Sequence, residues 1–170
     1  MRNNFKLERH KGFSLLEMLI YVAILALLLM VVMGVIVSIS KSNRLIRSAR
    51  SIDTSASLSM ERMTREARLS DSIAPGSTLN VHPGDLILNS TDASNNPRTV
   101  EFYISNGRLM MKENSVDLGA LTESATRVTS LIFRRFSGAH SEGVRIEMTL
   151  ESGADTGYKT ETFYSTAVLR

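Results

Sequence analysis

The stretch Lys11-Gly12-Phe13-Ser14-Leu15-Leu16-Glu17-Met18-Leu19-Ile20 joins a short basic leader to a long apolar run. Residues 18–37 are twenty positions without a charge. At the α-helical rise they extend about 30 Å, the thickness of a bilayer's hydrocarbon core. The run therefore predicts a membrane-spanning helix, with the Glu17 carboxylate at its edge. A charged side chain costs roughly 2.5 to 3.5 kcal/mol at the bilayer centre and less near the interface, so one kept there usually has a partner. Ser14 and Glu17 also stand in the S-x-x-E relation of a capping box, in which each side chain satisfies an orphan amide at a helix start. A neutral glutamine would cap as well at lower cost in lipid, so capping is compatible with a second role for Glu17 and does not replace it.

Beyond the run the helical pattern continues. Leu45, Ala49, Ile52, Ala56, Met60, Met63 and Ala67 recur at spacings of three and four, one apolar face of an amphipathic helix. Neither Pro nor Gly interrupts residues 35–74. The hydroxyl cluster Ser51, Thr54, Ser55, Ser57 and Ser59 lowers helix propensity and permits a bend, and Pro75-Gly76 ends the helical region. A helix from Ser14 to about Ser70 would be roughly 85 Å long. Met60 and Met63 read as core filler.

After Pro75 the period changes to two. Residues 99–104 run into Asn106-Gly107 and return over residues 108–112, and Asn-Gly supports the positive φ angles of a tight hairpin. Val144, Ile146, Met148 and Leu150 alternate with Arg145, Glu147, Thr149 and Glu151, a half-buried strand. Residues 128–136 and 158–169 read as further strands and residues 85–89 as a short one. One long helix followed by antiparallel strands predicts an α+β fold: the first half of the helix is transmembrane and the second half packs on an antiparallel sheet.

Charge and composition narrow the function. Arg2, Lys6, Arg9 and Lys11 against Glu8 give the leader a net +3, which is the whole formal excess of the chain, so the basic balance belongs to the leader. Residues 69–170 hold 9 basic and 12 acidic side chains, the opposite of a phosphate-binding surface, and no nucleic-acid partner is expected. Cysteine is absent, which excludes disulfide staples, zinc-thiolate sites and cysteine nucleophiles. About 100 residues outside the helix suffice for one small domain. Lys41, Arg44, Arg47, Arg50, Arg62, Arg65 and Arg68 outnumber Asp53, Glu61 and Glu66 along the stem, a basic stripe suited to anionic headgroups, to acidic neighbours or simply to water. Four Lys or Arg lie on each side of the run, so charge alone leaves its orientation open.

Gly12, Phe13, Ser14, Leu15 and Glu17, placed after four basic residues and before a spanning helix, resemble the processing site of type IV pilin precursors and type II secretion pseudopilins. The resemblance covers the first forty or so residues. It implies a pilin-like fold, cleavage between Gly12 and Phe13 by a prepilin peptidase, methylation of the new Phe13 amine, and a role for Glu17, the fifth residue after the cut, in meeting the amine of a neighbouring subunit's first residue. It further implies a cytoplasmic leader, an outward-facing domain in the inner membrane, and partners in other pilin or pseudopilin subunits and an inner-membrane assembly platform. Domain limits follow: leader 1–12, transmembrane helix half 13–40, amphipathic continuation 41–74 and extracytoplasmic sheet domain 75–170. Residues 60–69 and 162–170 loosely resemble minor pseudopilins of the J type and W-type minor pilins, implying a place at a filament tip or in initiation. The absence of cysteine departs from major pilins closed by a carboxyl-terminal disulfide.

Two other readings stand beside this one. An ordinary secretory signal cut at Ser38-Ile39-Ser40 would release a domain starting at Lys41, but such signals have shorter apolar stretches and no use for Glu17. A membrane-anchored binding module that never polymerises would place its ligand on the sheet and loops. Residues 91–97 and 151–155 offer oxygens for Ca²⁺ but no EF-hand array, and they read as solvated turns. His82 and His140 lie in loops without a nucleophile pattern, and His10 leaves with the leader. No cofactor, metal or catalytic residue is expected, and the chain reads as a structural subunit rather than an enzyme.

Overall fold

The amphipathic period and the unbroken apolar run are realised as one element, α1, Leu15–Leu69, in a computed structural model that describes residues 12–138 and 141–170. The leader before Gly12, with His10, and His140 lie outside the described residues. The chain divides into two units, Met1–Ser40 and Lys41–Arg170. In the first, every residue from 18 to 40 is exposed. Among the described residues, α1 is the one helix long and apolar enough to cross a membrane.

In the second unit the strands form two antiparallel sheets. β1 (Ser72–Ile73), β2 (Leu86–Thr91), β3 (Pro97–Ser105), β4 (Arg108–Glu113) and β5 (Val116–Ala120) follow one another across a five-stranded sheet. β6 (Thr126–Ser137), β7 (Glu142–Ser152) and β8 (Lys159–Val168) make a three-stranded one. The structure thus carries the α+β plan, a long N-terminal helix packed on antiparallel sheets, and divides what the sequence presented as one sheet into two. One core joins them: Ile52, Ala56, Met63 and Ala67 of α1 are buried with Leu88 and Phe102 of the larger sheet and Phe133 and Ile146 of the smaller. The Val128 amide donates to the Gly107 carbonyl at 2.8 Å, tying the tip of the β3–β4 hairpin to the start of β6. Asn106 (φ 50°) and Gly107 (φ 72°) both take the positive φ that a two-residue hairpin demands.

The buried face of α1 is turned relative to the expected one. Leu45 is 44% exposed, while Ser48, Ser55 and Ser59 are buried beside Ile52, Ala56 and Met63. The serines let backbone approach: Ser55 Oγ accepts the Glu123 amide at 3.1 Å. A Cβ on Gly153, whose φ of 85° already favours glycine, would collide with the Ser48 hydroxyl and the Gly157 carbonyl. Ser51 donates to Glu123 Oε2 at 2.6 Å and shares a 2.8 Å bond with Thr126. The hydroxyl cluster, expected to weaken or bend the helix, is in part the surface on which the domain docks.

α1 ends at Leu69, and Ser72–Ile73 is already strand, so the last residues of the 41–74 continuation are not helical. Ser70 is the cause. Its hydroxyl donates to the Glu66 carbonyl at 2.6 Å, and the next amide, that of Asp71, goes to the Asn89 carbonyl at 2.8 Å, outside the helix.

A charged network fastens the helix to β3 and β4. The Glu66 carboxylate, only 3% exposed, meets Arg62 at 3.1 Å and Arg98 at 2.7 Å, and Arg98 forks onto Glu113 at 2.8 and 3.0 Å. The Arg98 hydrogen bonds hold the Glu113 carboxyl below its ordinary value of 4.5. A depressed carboxyl pKa contributes stability that is present above the unfolded value and lost as pH falls through the folded one. Arg98→Ala is expected to destabilise the domain by about 2 kcal/mol, because it leaves the buried Glu66 carboxylate on Arg62 alone and Glu113 without its partner. It should also flatten the loss of stability below about pH 4.5. Denaturant unfolding in detergent at several pH values measures both; a wild-type midpoint for the variant would refute the network's role.

Candidate functional site

The start of α1 is set by Ser14, whose carbonyl accepts the Met18 amide at 3.1 Å while residues 12–14 remain outside regular structure. Glu17 therefore stands in the first turn, where the helix dipole favours a negative charge. Its Oε1 accepts the Tyr21 hydroxyl at 2.8 Å, one helical turn on. The Tyr21 and Phe13 rings pack in a T-shaped arrangement, with centroids 6.2 Å apart and planes at 75°. Phe13, Glu17 and Tyr21 thus form one small cluster. Among the described residues, the carboxylate's hydrogen-bond partner is Tyr21, so the capping box is not closed from Glu17 back to Ser14. Tyr21 was not singled out from sequence; its spacing of four from Glu17 was the available signal.

Gly12 is exposed, and a Cβ placed on it would meet nothing within 4 Å. The described fold of this chain therefore imposes no glycine there. Phe13 is 70% exposed, the Gly12–Phe13 bond lies on open chain, and Glu17 is half-buried. Among the described residues the cluster pairs the carboxylate with a neutral phenol and no cation lies within 4 Å of it. Chemically, the arrangement presents an exposed peptide bond and a carboxylate that can receive a cation.

The other candidate positions are structurally committed. Asp92 Oδ1 accepts the Ser94 and Asn96 amides at 2.8 Å each, and these bonds with Asn96 hold its carboxyl below the ordinary range. Glu151 faces Arg127 at 4.0 Å and takes the Tyr158 hydroxyl at 3.1 Å. His82 Nδ1 accepts the Leu131 amide at 3.1 Å, so this loop histidine completes the edge of β6. Among the described residues, no three His, Asp or Glu side chains are grouped to hold a metal. Of the stem cations, Arg62 and Arg65 pair with Glu66 and Glu61, whereas Lys41, Arg44, Arg47 and Arg50 are exposed.

Residues 8–39 match a family model described as a prokaryotic N-terminal methylation motif. The match spans 32 of 170 residues and brackets Gly12, Phe13 and Glu17. None of the curated proteins and none of the solved structures matches the chain. The motif, followed by the long apolar helix, supports a precursor of the pilin and pseudopilin kind, cut by a prepilin peptidase and anchored in a membrane by a single pass.

Proposed function

We propose that this chain is a minor pilin or pseudopilin: a precursor trimmed between Gly12 and Phe13, methylated at the Phe13 amine, and assembled through Glu17 into a type IV pilus or type II secretion pseudopilus. The observation that carries the proposal is the half-buried Glu17 at the head of a bare apolar helix, with a neutral phenol as its only hydrogen-bond partner among the described residues. Lipid or neighbouring helices must cover residues 18–40, and an uncompensated carboxylate there is costly unless a cation arrives. The free amine that cleavage creates at Phe13 of a neighbouring subunit is such a cation, and its helix would cover the same apolar surface. Such a subunit builds and does no chemistry of its own.

The inner membrane is the site of insertion in this reading, with the domain facing outward, other subunits and the assembly platform as partners, and the filament as destination. A place at the tip or in initiation has support from the two stretches that resemble minor subunits, which meet in the fold. Thr64 and Ser165 share a 2.8 Å hydrogen bond, and the Arg170 amide donates to the Ser70 carbonyl at 3.0 Å. Intact mass and amino-terminal sequencing of the membrane-extracted chain test the proposal. The expected result is a polypeptide beginning at methylated Phe13. A first residue at Met1 in cells that carry the peptidase, or at Lys41, would overturn it.

A further inference from the structure

We propose that Lys41, Arg44, Arg47 and Arg50 form a cationic collar that binds anionic phospholipid headgroups on the membrane face that carries the domain. The inference rests on the membrane-spanning reading above. No acidic side chain occurs between Glu17 and Asp53, so these four charges stand alone at the end of the apolar run, which closes at Ser40. All four are exposed, and among the described residues none has a carboxylate within 4 Å. Elsewhere among the described residues Arg62, Arg65, Arg98, Lys112 and Lys159 each rest on a glutamate, and the cations without one, such as Arg68, Arg108, Arg145 and Arg170, are scattered rather than consecutive along one helix segment.

Their spacing selects the partner. Each step of three residues rises about 4.5 Å and turns back about 60°, so the four side chains spread over roughly half of the helix circumference within about 14 Å. The loop at Gly157 lies against Arg44 on one side; headgroups can reach the rest of the arc, which a protein docking from a single direction would cover only in part. The headgroup layer is about 5 to 7 Å deep on each side of the hydrocarbon. With the hydrocarbon span ending near Val37, Lys41 falls within that layer at about 6 Å and Arg44, at about 10 Å, reaches it with its long side chain, while Arg47 and Arg50 stand farther out, where attraction falls off over a Debye length. Four further cations in the leader leave the positive-inside bias balanced, and an anionic surface attracts each nearby cation by about 1 kcal/mol, about fivefold in affinity.

The test reconstitutes the full chain in nanodiscs of mixed phosphatidylcholine and phosphatidylglycerol and reads the lipids retained by native mass spectrometry. The comparison is with the Lys41→Gln/Arg44→Gln/Arg47→Gln/Arg50→Gln variant. Both forms keep the leader, so the difference belongs to the collar. The wild type is expected to lose at least about fivefold in preference for phosphatidylglycerol on neutralisation, the effect of one fully engaged cation. Wild-type preference should also fall steeply in about 1 M salt. An Arg44→Lys/Arg47→Lys/Arg50→Lys variant should retain the preference, since point charge suffices. Equal preference in wild type and the Gln variant overturns the inference. So does an unchanged lipid preference accompanied by lost capture of other subunits, which would assign the collar to an acidic protein. A chain extracted from the discs by alkaline carbonate overturns the spanning reading as well, whereas an inserted chain without preference overturns this inference alone.

Discussion

Glu17→Ala leaves the chain inserted and trimmed but lowers its recovery in sheared filaments, or in pull-downs of partner subunits, by about tenfold or more. The magnitude follows from the medium. Breaking a buried ion pair by removing one partner costs roughly 3 to 5 kcal/mol, far more than an exposed pair is worth, because the remaining charge is left in a low dielectric. In the proposed assembly the stranded group is the Phe13 amine of the adjoining subunit. Insertion is spared because alanine makes the run more apolar, and α1 keeps its start through the Ser14 carbonyl. Glu17→Gln separates charge from shape: it preserves volume and an acceptor for Tyr21, so recovery as poor as that of Glu17→Ala assigns the effect to the charge. Wild-type recovery of Glu17→Ala in filaments would sink the assembly role.

Gly12→Ser retains the leader. Processed protein is expected to fall by about tenfold or more, since a peptidase subsite fitted to a bare backbone rejects an added side chain by contact. The described fold offers no competing explanation, because a Cβ at Gly12 meets nothing within 4 Å. Intact mass distinguishes the two forms by the twelve-residue leader. The same variant links cleavage to assembly: an uncut chain brings no free Phe13 amine to the carboxylate of an adjoining subunit, so Gly12→Ser should lower incorporation as well. Normal trimming of Gly12→Ser would show that the cut lies elsewhere or does not require glycine.

The methylation-motif segment was legible because its signals are local. A glycine, a carboxylate five residues on and an uncharged run long enough for a bilayer are all read from consecutive positions, and hydrocarbon imposes its length requirement on any helix that enters it. The Asn106-Gly107 hairpin was legible for a similar reason, since few residue pairs tolerate two consecutive positive φ values. β5 was not. It follows a turn at Asn114 (φ 49°) and Ser115 (φ 67°), a pair without the glycine signature, and its exposed Val116 and Leu118 carry no alternation toward the core. Tyr21 also passed unnoticed within the apolar run, because an aromatic residue near a membrane interface needs no further explanation.

Residue order thus settled the anchor, the length of α1 and the strand period, all properties of neighbours along the chain acting with water or lipid. Packing in three dimensions chose which side of α1 faces the sheets, replacing Leu45 with Ser48, Ser55 and Ser59, because close approach of two backbones rewards small side chains over apolar ones. It also divided the strands into two sheets and brought Arg98 onto Glu66 from 32 residues away. Such pairings depend on distances that close only when the whole domain has folded, and local pattern carries no record of them.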